Sequence, residues 1–421
     1  MTLARKLWRL WHASQGCVLL CLVPALSAAA DFKLSGFGTL GYAISDQSFP
    51  YLRYIDNGGS IAADSLIGLQ GEAQFNSQWG ATVQAVASAP RTSDQGVEAK
   101  IRWAFVSFRP DNDWLFRVGR LRPPFLLYSQ NAEVGVTYEQ VRLPQELYSL
   151  SPVYDFDGGA VTKTWSWAKS ETTIDAYWGK TDLKVRLPVR DDSQATYVAE
   201  KVTAQGLILS HTTGPLMLRV GANRANIVFP DQSITASLAP TTIPVPAPVG
   251  GTVYQPTDLI SKINLTVLTF GADWRPGEWR LTAEYAQRII QGTDTGPGGK
   301  SGYVTAARQI GKWTPYATYA RLLSDGDTRA LYQTIRSTPV PLAVQLAPPF
   351  LPANYHRALA NNILVSDQYS VMLGTSYSFS ATSKLKLELM QTHIGLASTL
   401  VDSDVQNKRL NVFSASYSVA F

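Results

Sequence analysis

The sequence predicts an all-β fold, a closed antiparallel up-and-down barrel of about 16 strands that crosses a membrane. Three observations support this fold. Apolar and polar residues alternate with a period of two along most of the chain, the connections between these runs alternate between short and long, and tryptophans cluster at the short connections. The barrel must close because a sheet in lipid cannot leave a backbone edge unpaired.

Residues 1–30 have the features of an export signal. Arg5, Lys6 and Arg9 form a basic segment, the apolar run Gly16–Leu26 follows, and small residues end the segment at Ser27–Ala30. The apolar run has 11 residues, whereas a membrane-spanning helix needs about 20. We therefore expect residues 1–30 to be a signal peptide and residues 31–421 to form the transmembrane barrel.

Composition excludes several classes of function. Removal of the three basic residues in the signal lowers the formal charge from +5 to +2, and the remaining basic residues do not cluster as a nucleic-acid surface requires. Both cysteines, Cys17 and Cys21, lie in the signal, so we expect the exported chain to have no disulfide. No apolar run after residue 30 is as long as a membrane helix.

The period-two alternation defines the strands. In Val97–Phe108, Trp103 and Phe105 belong to an apolar face, whereas Lys100 and Arg102 belong to the opposite, polar face. A helical stripe would recur every three or four residues instead. Sixteen strands are predicted, at 32–45, 65–75, 81–89, 97–109, 113–121, 158–167, 172–180, 203–212, 216–229, 264–274, 278–291, 300–311, 314–324, 368–379, 384–395 and 410–421.

Connection lengths and tryptophans give the barrel two different ends. Seven short connections are predicted at 76–80, 110–112, 168–171, 212–215, 275–278, 311–315 and 380–383. Eight longer ones lie between them, at 46–64, 90–96, 122–157, 181–202, 230–263, 292–299, 325–367 and 396–409. Seven tryptophans lie at the short connections, and they are Trp79, Trp114, Trp165, Trp167, Trp274, Trp279 and Trp313. Bacterial outer-membrane barrels have such short turns at one end, longer loops at the other and aromatic girdles, whereas a sandwich or propeller does not sort its loops by length.

The last residues, "NVFSASYSVAF" (Asn411–Phe421), form an alternating strand. We expect Phe413, Tyr417 and Phe421 to face lipid, together with Ala415 and Val419, while the three serines between them face the lumen. With an even number of strands, Phe421 then lies at the membrane interface beside the tryptophans.

With these features the chain resembles the Gram-negative outer-membrane porin superfamily, whose members are 16-stranded and usually trimeric diffusion porins. The stretch "FRVGRLRPPF" (Phe116–Phe125) resembles the family's fifth strand, which leads into a third long loop that folds into the barrel. The resemblance implies that 122–157 is a constriction loop. It also implies that the outer-membrane assembly machinery reads a terminal signal that includes Tyr417, Val419 and Phe421. The acidic signature of enterobacterial porins is missing from 122–157, so no solute class is carried over.

The same resemblance implies an integral protein of the Gram-negative outer membrane, reached by Sec-type export. Its expected partners are the lipid bilayer, lipopolysaccharide, the assembly machinery, two further copies in a homotrimer and small hydrophilic solutes. Nucleic acid is not among them.

The parity of the strands predicts the charges of the pore. Nine basic side chains on the strands should face the lumen: Lys33, Lys100, Arg102, Arg117, Arg219, Arg280, Arg288, Lys384 and Lys386. Five acidic ones should face it: Glu72, Glu98, Asp175, Glu284 and Glu388. The loop is acidic in balance, with Arg122 and Arg142 against Glu133, Glu139, Glu146, Asp155 and Asp157, and Arg120 precedes it. An inward fold would set acidic groups across a gap from a basic wall and give a weak, slightly anionic preference.

Two other classes of function stay open from the sequence. A barrel enzyme of the lipase or protease type needs a nucleophile and a positioned base, and only His211, His356 and His393 are available after residue 30. A structural or adhesive barrel would conduct no ions. We expect no enzyme activity, no cofactor and no metal, and a water-filled channel for passive diffusion of small hydrophilic solutes.

Overall fold

A computed structural model describes residues 31–91, 93–149, 153–191, 195–230 and 233–421. Sixteen strands close into one antiparallel barrel, and a separate two-stranded hairpin lies in one of the long connections. The predicted barrel is therefore confirmed, whereas the predicted signal at 1–30 lies outside the described residues. The strands are β1 (Asp31–Ser45), β2 (Leu66–Gln74), β3 (Trp79–Ser88), β4 (Glu98–Phe108), β5 (Trp114–Leu121), β6 (Phe156–Ser166), β7 (Ser170–Arg186), β8 (Tyr197–Thr213), β9 (Leu216–Val228), β10 (Ile234–Ile243), β11 (Gly251–Ile260), β12 (Lys262–Trp274), β13 (Trp279–Gln291), β14 (Gly299–Arg308), β15 (Trp313–Ser324), β16 (Asp367–Ser380), β17 (Ser383–Ile394) and β18 (Lys408–Ala420).

The first and last strands complete the ring. β1 pairs with β18 from Phe37↔Ala420 to Ser45↔Val412, and β9 pairs directly with β12 because β10 and β11 form the separate hairpin. Among the described helices, none is long and apolar enough to cross a membrane.

The two ends of the barrel differ as the sequence predicts. All seven short connections fall where expected, and the seven tryptophans beside them are exposed, from 37% at Trp114 to 57% at Trp167. The bounds predicted for β7 and β8, 172–180 and 203–212, were wrong. Pairing continues to Arg186↔Tyr197, because the alternation persists: the exposed Asp182 and Lys184 alternate with Leu183 and Val185.

The long connections contain secondary structure of their own. In its described residues, the connection after β5 holds one 3-10 turn, Gly135–Thr137, and the helix α1, Gln145–Tyr148. The connection between β15 and β16 holds three helices: α2 (Gly326–Ser337), α3 (Leu342–Leu346) and α4 (Tyr355–Asn361). Leu238 of the β10–β11 hairpin packs with Tyr332 of α2 and Leu359 of α4 in one apolar cluster.

The inner face of the barrel is less polar than strict alternation predicts. In β8, Leu207 and Leu209 are exposed on the outer surface, and Ile208 between them is fully buried on the inside. An inner cluster joins Ile208 to Phe156 and Tyr177, among other residues. These strands therefore carry apolar residues on both faces, as strands do when both faces are covered.

A β-bulge changes the parity of β4. Ala85 pairs with Ile101 and Gln84 pairs with Trp103, which leaves Arg102 as an extra residue. After a bulge the alternation shifts by one residue. The assignment of Trp103 and Phe105 to the lipid face was therefore wrong: Phe105 packs against the inner cluster, and Val106 is exposed instead.

Candidate functional site: the lumen and segment 122–149

Near the short connections, polar side chains on the inner wall form hydrogen-bonded pairs. Lys33 and Glu72 are opposite each other on β1 and β2. Glu72 accepts a 2.6 Å hydrogen bond from Gln70, and Gln84 donates to Gln70 at 2.7 Å. This part of the wall can hydrogen-bond water or a polar solute.

A second polar group lies farther round the inner wall. The Arg117 guanidinium donates to Thr162 at 3.3 Å and lies 3.9 Å from a carboxylate oxygen of Asp175. Thr162 donates to that same carboxylate at 2.5 Å. Arg117 is thus paired loosely and keeps part of its charge available to the lumen.

The described part of the predicted loop, segment 122–149, contacts the inward-facing side chains of several strands. Glu284 of β13 accepts a 2.7 Å hydrogen bond from the Leu127 amide and a 2.5 Å bond from the Tyr148 hydroxyl. Lys386 of β17 donates to the carbonyls of Gly135 and Gln140 at 2.6 and 2.8 Å. The segment therefore has fixed partners on the β13–β18 side of the wall.

Glu133 is the centre of a cluster of arginines. It forms ion pairs with Arg102 at 3.2 Å and with Arg122, and Arg91 lies 4.0 Å away. Burial by itself would raise the pKa of the Glu133 carboxyl, but the charges of Arg122, Arg102 and Arg91 outweigh burial and hold that pKa below its ordinary value. Arg102 also pairs with Asp155 at 3.4 Å. The cluster keeps an excess of positive charge.

Other predicted loop residues are paired one by one. Glu139 accepts from Lys384 at 2.6 Å and from the Ser376 hydroxyl. Arg142 forms a bidentate ion pair with Asp64, with hydrogen bonds of 2.9 and 2.6 Å, and also donates to the Ser414 hydroxyl at 2.9 Å. These pairs correct the expectation of acidic groups facing a basic wall across a gap, because the segment packs directly on the wall.

Glu146 differs from the other acidic residues of the segment. It is fully buried and accepts hydrogen bonds from Gln368 at 2.8 Å and from the Ser370 hydroxyl, and none of the described cations forms an ion pair with it. Burial raises the pKa of this carboxyl, and the two hydrogen bonds offset only part of the effect.

Two further residues predicted to line the pore, Arg120 and Lys100, do not contact segment 122–149 in any ion pair of the described residues. Arg120 shares the outward parity of the exposed Phe116 and Val118 and pairs with Asp157 at 2.8 Å, so its assignment to the pore wall was wrong. Odd-numbered residues of β5 face inward, and position 120 is even-numbered. Lys100 keeps the inward parity and lies 3.1 Å from Glu98 on the same strand.

Sequence reasoning missed a set of ion pairs between the long connections, here called the mouth bridge and made of Asp94, Arg186 and Asp402. Arg186 donates to both carboxylate oxygens of Asp402, at 2.8 and 2.7 Å, and to Asp94 at 2.8 Å. In the ring of 16 strands, the β7–β8 and β17–β18 connections are eight strands apart, that is, on opposite sides. Nothing local in the sequence around Asp402 indicates a partner 216 residues away.

Two of the three candidate histidines have hydrogen-bond partners, whereas His393 packs against the Tyr369 ring and its buried Nδ1 has no hydrogen bond. His356 accepts from the Tyr254 amide at 3.0 Å through Nε2, and its Nδ1 lies 2.8 Å from the Thr338 carbonyl. His211 contacts the Thr172 hydroxyl at 2.8 Å. Among the described residues, no group of three or more His, Cys, Asp or Glu side chains could hold a metal ion.

The Phe421 ring lies against β1. Phe421 and Gly36 exchange backbone hydrogen bonds of 2.8 and 2.9 Å, and a Cβ added to Gly36 would come within 2.5 Å of the Phe421 ring. Tyr417 and Phe421 are exposed on the outer surface, whereas Ser414, Ser416 and Ser418 are buried inside, as the alternation predicts.

The barrel is similar to solved structures of outer-membrane proteins. OprB from Pseudomonas putida has 9% sequence identity over 93% of this chain and 94% of its own, with a TM-score of 0.51. DcaP, an outer-membrane channel of Acinetobacter baumannii, has 12% identity over 94% of this chain and 98% of its own, with a TM-score of 0.50. No protein-family model and no curated protein matches the chain. At these identities the likeness establishes the fold, and the predicted porin-type barrel is confirmed at that level.

Proposed function

We propose that the chain is an outer-membrane porin, a water-filled channel through which small hydrophilic solutes and ions diffuse passively. The observation that carries the proposal is a closed 16-stranded barrel with a hydrogen-bonding inner wall near the short connections. A barrel of this strand number is wide enough for an aqueous channel. DcaP, with the same fold, is itself an outer-membrane channel.

Segment 122–149 is proposed as the constriction. Its hydrogen bonds to Glu284, Lys386 and Ser414 join it to β13, β17 and β18, and the Glu133–Arg102 ion pair joins it to β4. The solute path is proposed to run past this ion pair, along the polar wall that includes Arg117. A slight anion preference is expected because the Glu133 cluster and Arg117 add positive charge along this path.

Chemistry on the solute is not part of this proposal. His356 contacts backbone groups, and among the described residues no third group hydrogen-bonds His211 to orient it as a base toward the Thr172 hydroxyl. Passage through the lumen needs neither turnover nor a cofactor. Export by the Sec route, a trimeric state and contact with lipopolysaccharide and the assembly machinery belong to the same proposal.

Planar-bilayer recording of the purified protein tests the channel. Stepwise conductance is expected, with a reversal potential under a salt gradient that indicates slightly faster anions. Arg117→Gln should shift that potential toward cations, and the shift should shrink at high salt, where the screening length falls to about 3 Å at 1 M. Arg120→Gln is the matched control, three residues away on the outer face, and should change nothing. If Arg117→Gln left the reversal potential unchanged, the ions would not pass close to Arg117. Absence of any conductance would refute the channel.

A further inference from the structure

Between segment 122–149 and the β7–β13 wall lies a cavity that is lined mostly by apolar residues, with a few polar ones among them. Its volume is about 70 Å³, and Phe125, Leu126 and Leu147 of the segment face Val202, Val267 and Ala286 of the wall. An apolar cavity of about 150 Å³ binds benzene. By the same ratio, the space suits an alkyl chain of about three carbon atoms.

One cation lines this cavity without a bound partner. Arg288 of β13 is 94% buried by its relative exposure of 6%, its Nε has no hydrogen-bond partner, and it forms no ion pair with any described residue. The negative charge of Asp325 favours the charged guanidinium of Arg288, but the two groups are too far apart to form an ion pair. An unpaired buried cation costs several kcal/mol, which a bound anion would offset.

A second polar atom at the same cavity also lacks a partner. The Thr269 hydroxyl is buried on β12 and has no hydrogen bond. Asn223, by contrast, accepts from Tyr177 at 2.8 Å and donates to the Val267 carbonyl at 3.3 Å. The available groups are thus one guanidinium and one hydroxyl, which match a carboxylate that accepts from both.

We propose that this cavity is a solute-binding site for short aliphatic monocarboxylates, with the carboxylate on Arg288 and the alkyl chain between segment 122–149 and the wall. A second negative charge on the ligand would be buried without a counter-charge, so dicarboxylates should bind more weakly. Arg224 also borders the cavity, but it shares the outward parity of the exposed Val220 and Val228. The proposal deepens the channel function by naming a solute class.

Equilibrium dialysis of labelled butyrate against the detergent-purified full chain tests the site without any need for conductance. Saturable binding is expected in the presence of excess chloride, with weaker binding of succinate and no binding of propylamine, which has a similar chain and the opposite charge. Arg288→Met keeps an unbranched apolar stem and removes the charged guanidinium, and it should weaken butyrate binding about tenfold or more.

A second pair of variants distinguishes loss of the binding site from misfolding of the barrel. Val267→Phe fills the cavity and should abolish butyrate binding, whereas Leu268→Phe changes the adjacent, exposed residue of the same strand and should leave it intact. Heat-modifiable migration on gels confirms that each barrel has folded. Equal butyrate binding by wild type and Arg288→Met, or by wild type and Val267→Phe, would overturn the site.

The outcomes separate the two proposals. Conductance in planar bilayers without saturable butyrate binding would refute the site and leave the channel. Butyrate binding without conductance would refute the channel and leave the site. In a conducting wild type, butyrate should also reduce the chloride current in a saturable manner, and this effect should weaken in Arg288→Met by the same factor as binding.

Discussion

The mouth bridge should restrict entry into the channel, and Asp402→Asn tests this. Arg186 and Asp402 are each 11% exposed, and their two parallel hydrogen bonds of 2.7 and 2.8 Å join opposite sides of the ring. Breaking a buried ion pair costs about 3–5 kcal/mol. Because Asp94 still neutralises Arg186 at 2.8 Å, we expect about 2 kcal/mol, which changes the ratio of bridged to unbridged mouths about 30-fold.

Single-channel recording measures the effect as longer open times and a higher mean conductance in Asp402→Asn. Asp404→Asn is the control, since Asp404 lies on the same connection and pairs with Arg336 and Arg357 at 2.5 Å. Those partners belong to the neighbouring β15–β16 connection, so this pair does not cross the mouth. Unchanged open times in Asp402→Asn, or equal changes in both variants, would show that the bridge does not restrict entry.

Three further predictions concern assembly and pH. Gly36→Ala puts a Cβ within 2.5 Å of the Phe421 ring, which has to move aside. Because that ring belongs to an exposed side chain, the free energy of unfolding should fall by only about 1 kcal/mol, and the heat-modifiable fraction should fall with it, whereas Gly71→Ala, with nothing within 4 Å, should change neither. Phe421→Ala removes the other half of that contact and should lower outer-membrane insertion in cell fractions; normal insertion would remove Phe421 from the proposed signal. Glu146 has a raised pKa, so the folded state prefers its protonated form and the barrel should lose stability as pH rises through that pKa. Glu146→Gln should reduce the difference in thermal stability between pH 5 and pH 8. An unchanged difference would show that another group causes the pH dependence.

The strands could be predicted because lipid and interface impose strong local rules. Outward residues of β18 must be apolar, and tryptophans gather at the short connections, so a few residues of sequence carry each signal. The failure in β4 has an equally local cause. Arg102 is an extra residue in the ladder, and a bulge of this kind leaves no distinct mark in an alternating sequence.

The contacts of segment 122–149 could not be predicted from sequence. Glu146 and Ser370 are 224 residues apart, and Lys386 meets the Gln140 carbonyl across 246 residues. Only closure of the barrel brings these groups together. The inward Ile208 illustrates a related limit, because an apolar residue between two lipid-facing leucines gives no sign of what covers its own side.

The distribution of ion pairs indicates where the channel can move. Segment 122–149 is joined to the wall through Glu133, Glu139 and Arg142, whose partners lie on β4, on β17 and in the β1–β2 connection. Displacing the segment would break several largely buried pairs at once, each at a cost of about 3–5 kcal/mol, and such a state would be too rare to observe. The mouth bridge has one guanidinium, Arg186, and one backbone hydrogen bond of 3.0 Å, from the Val189 amide to Asp402. Conductance changes between discrete levels should therefore arise at the mouth, and they should respond to Asp402→Asn while the ion preference set by Arg117 stays constant.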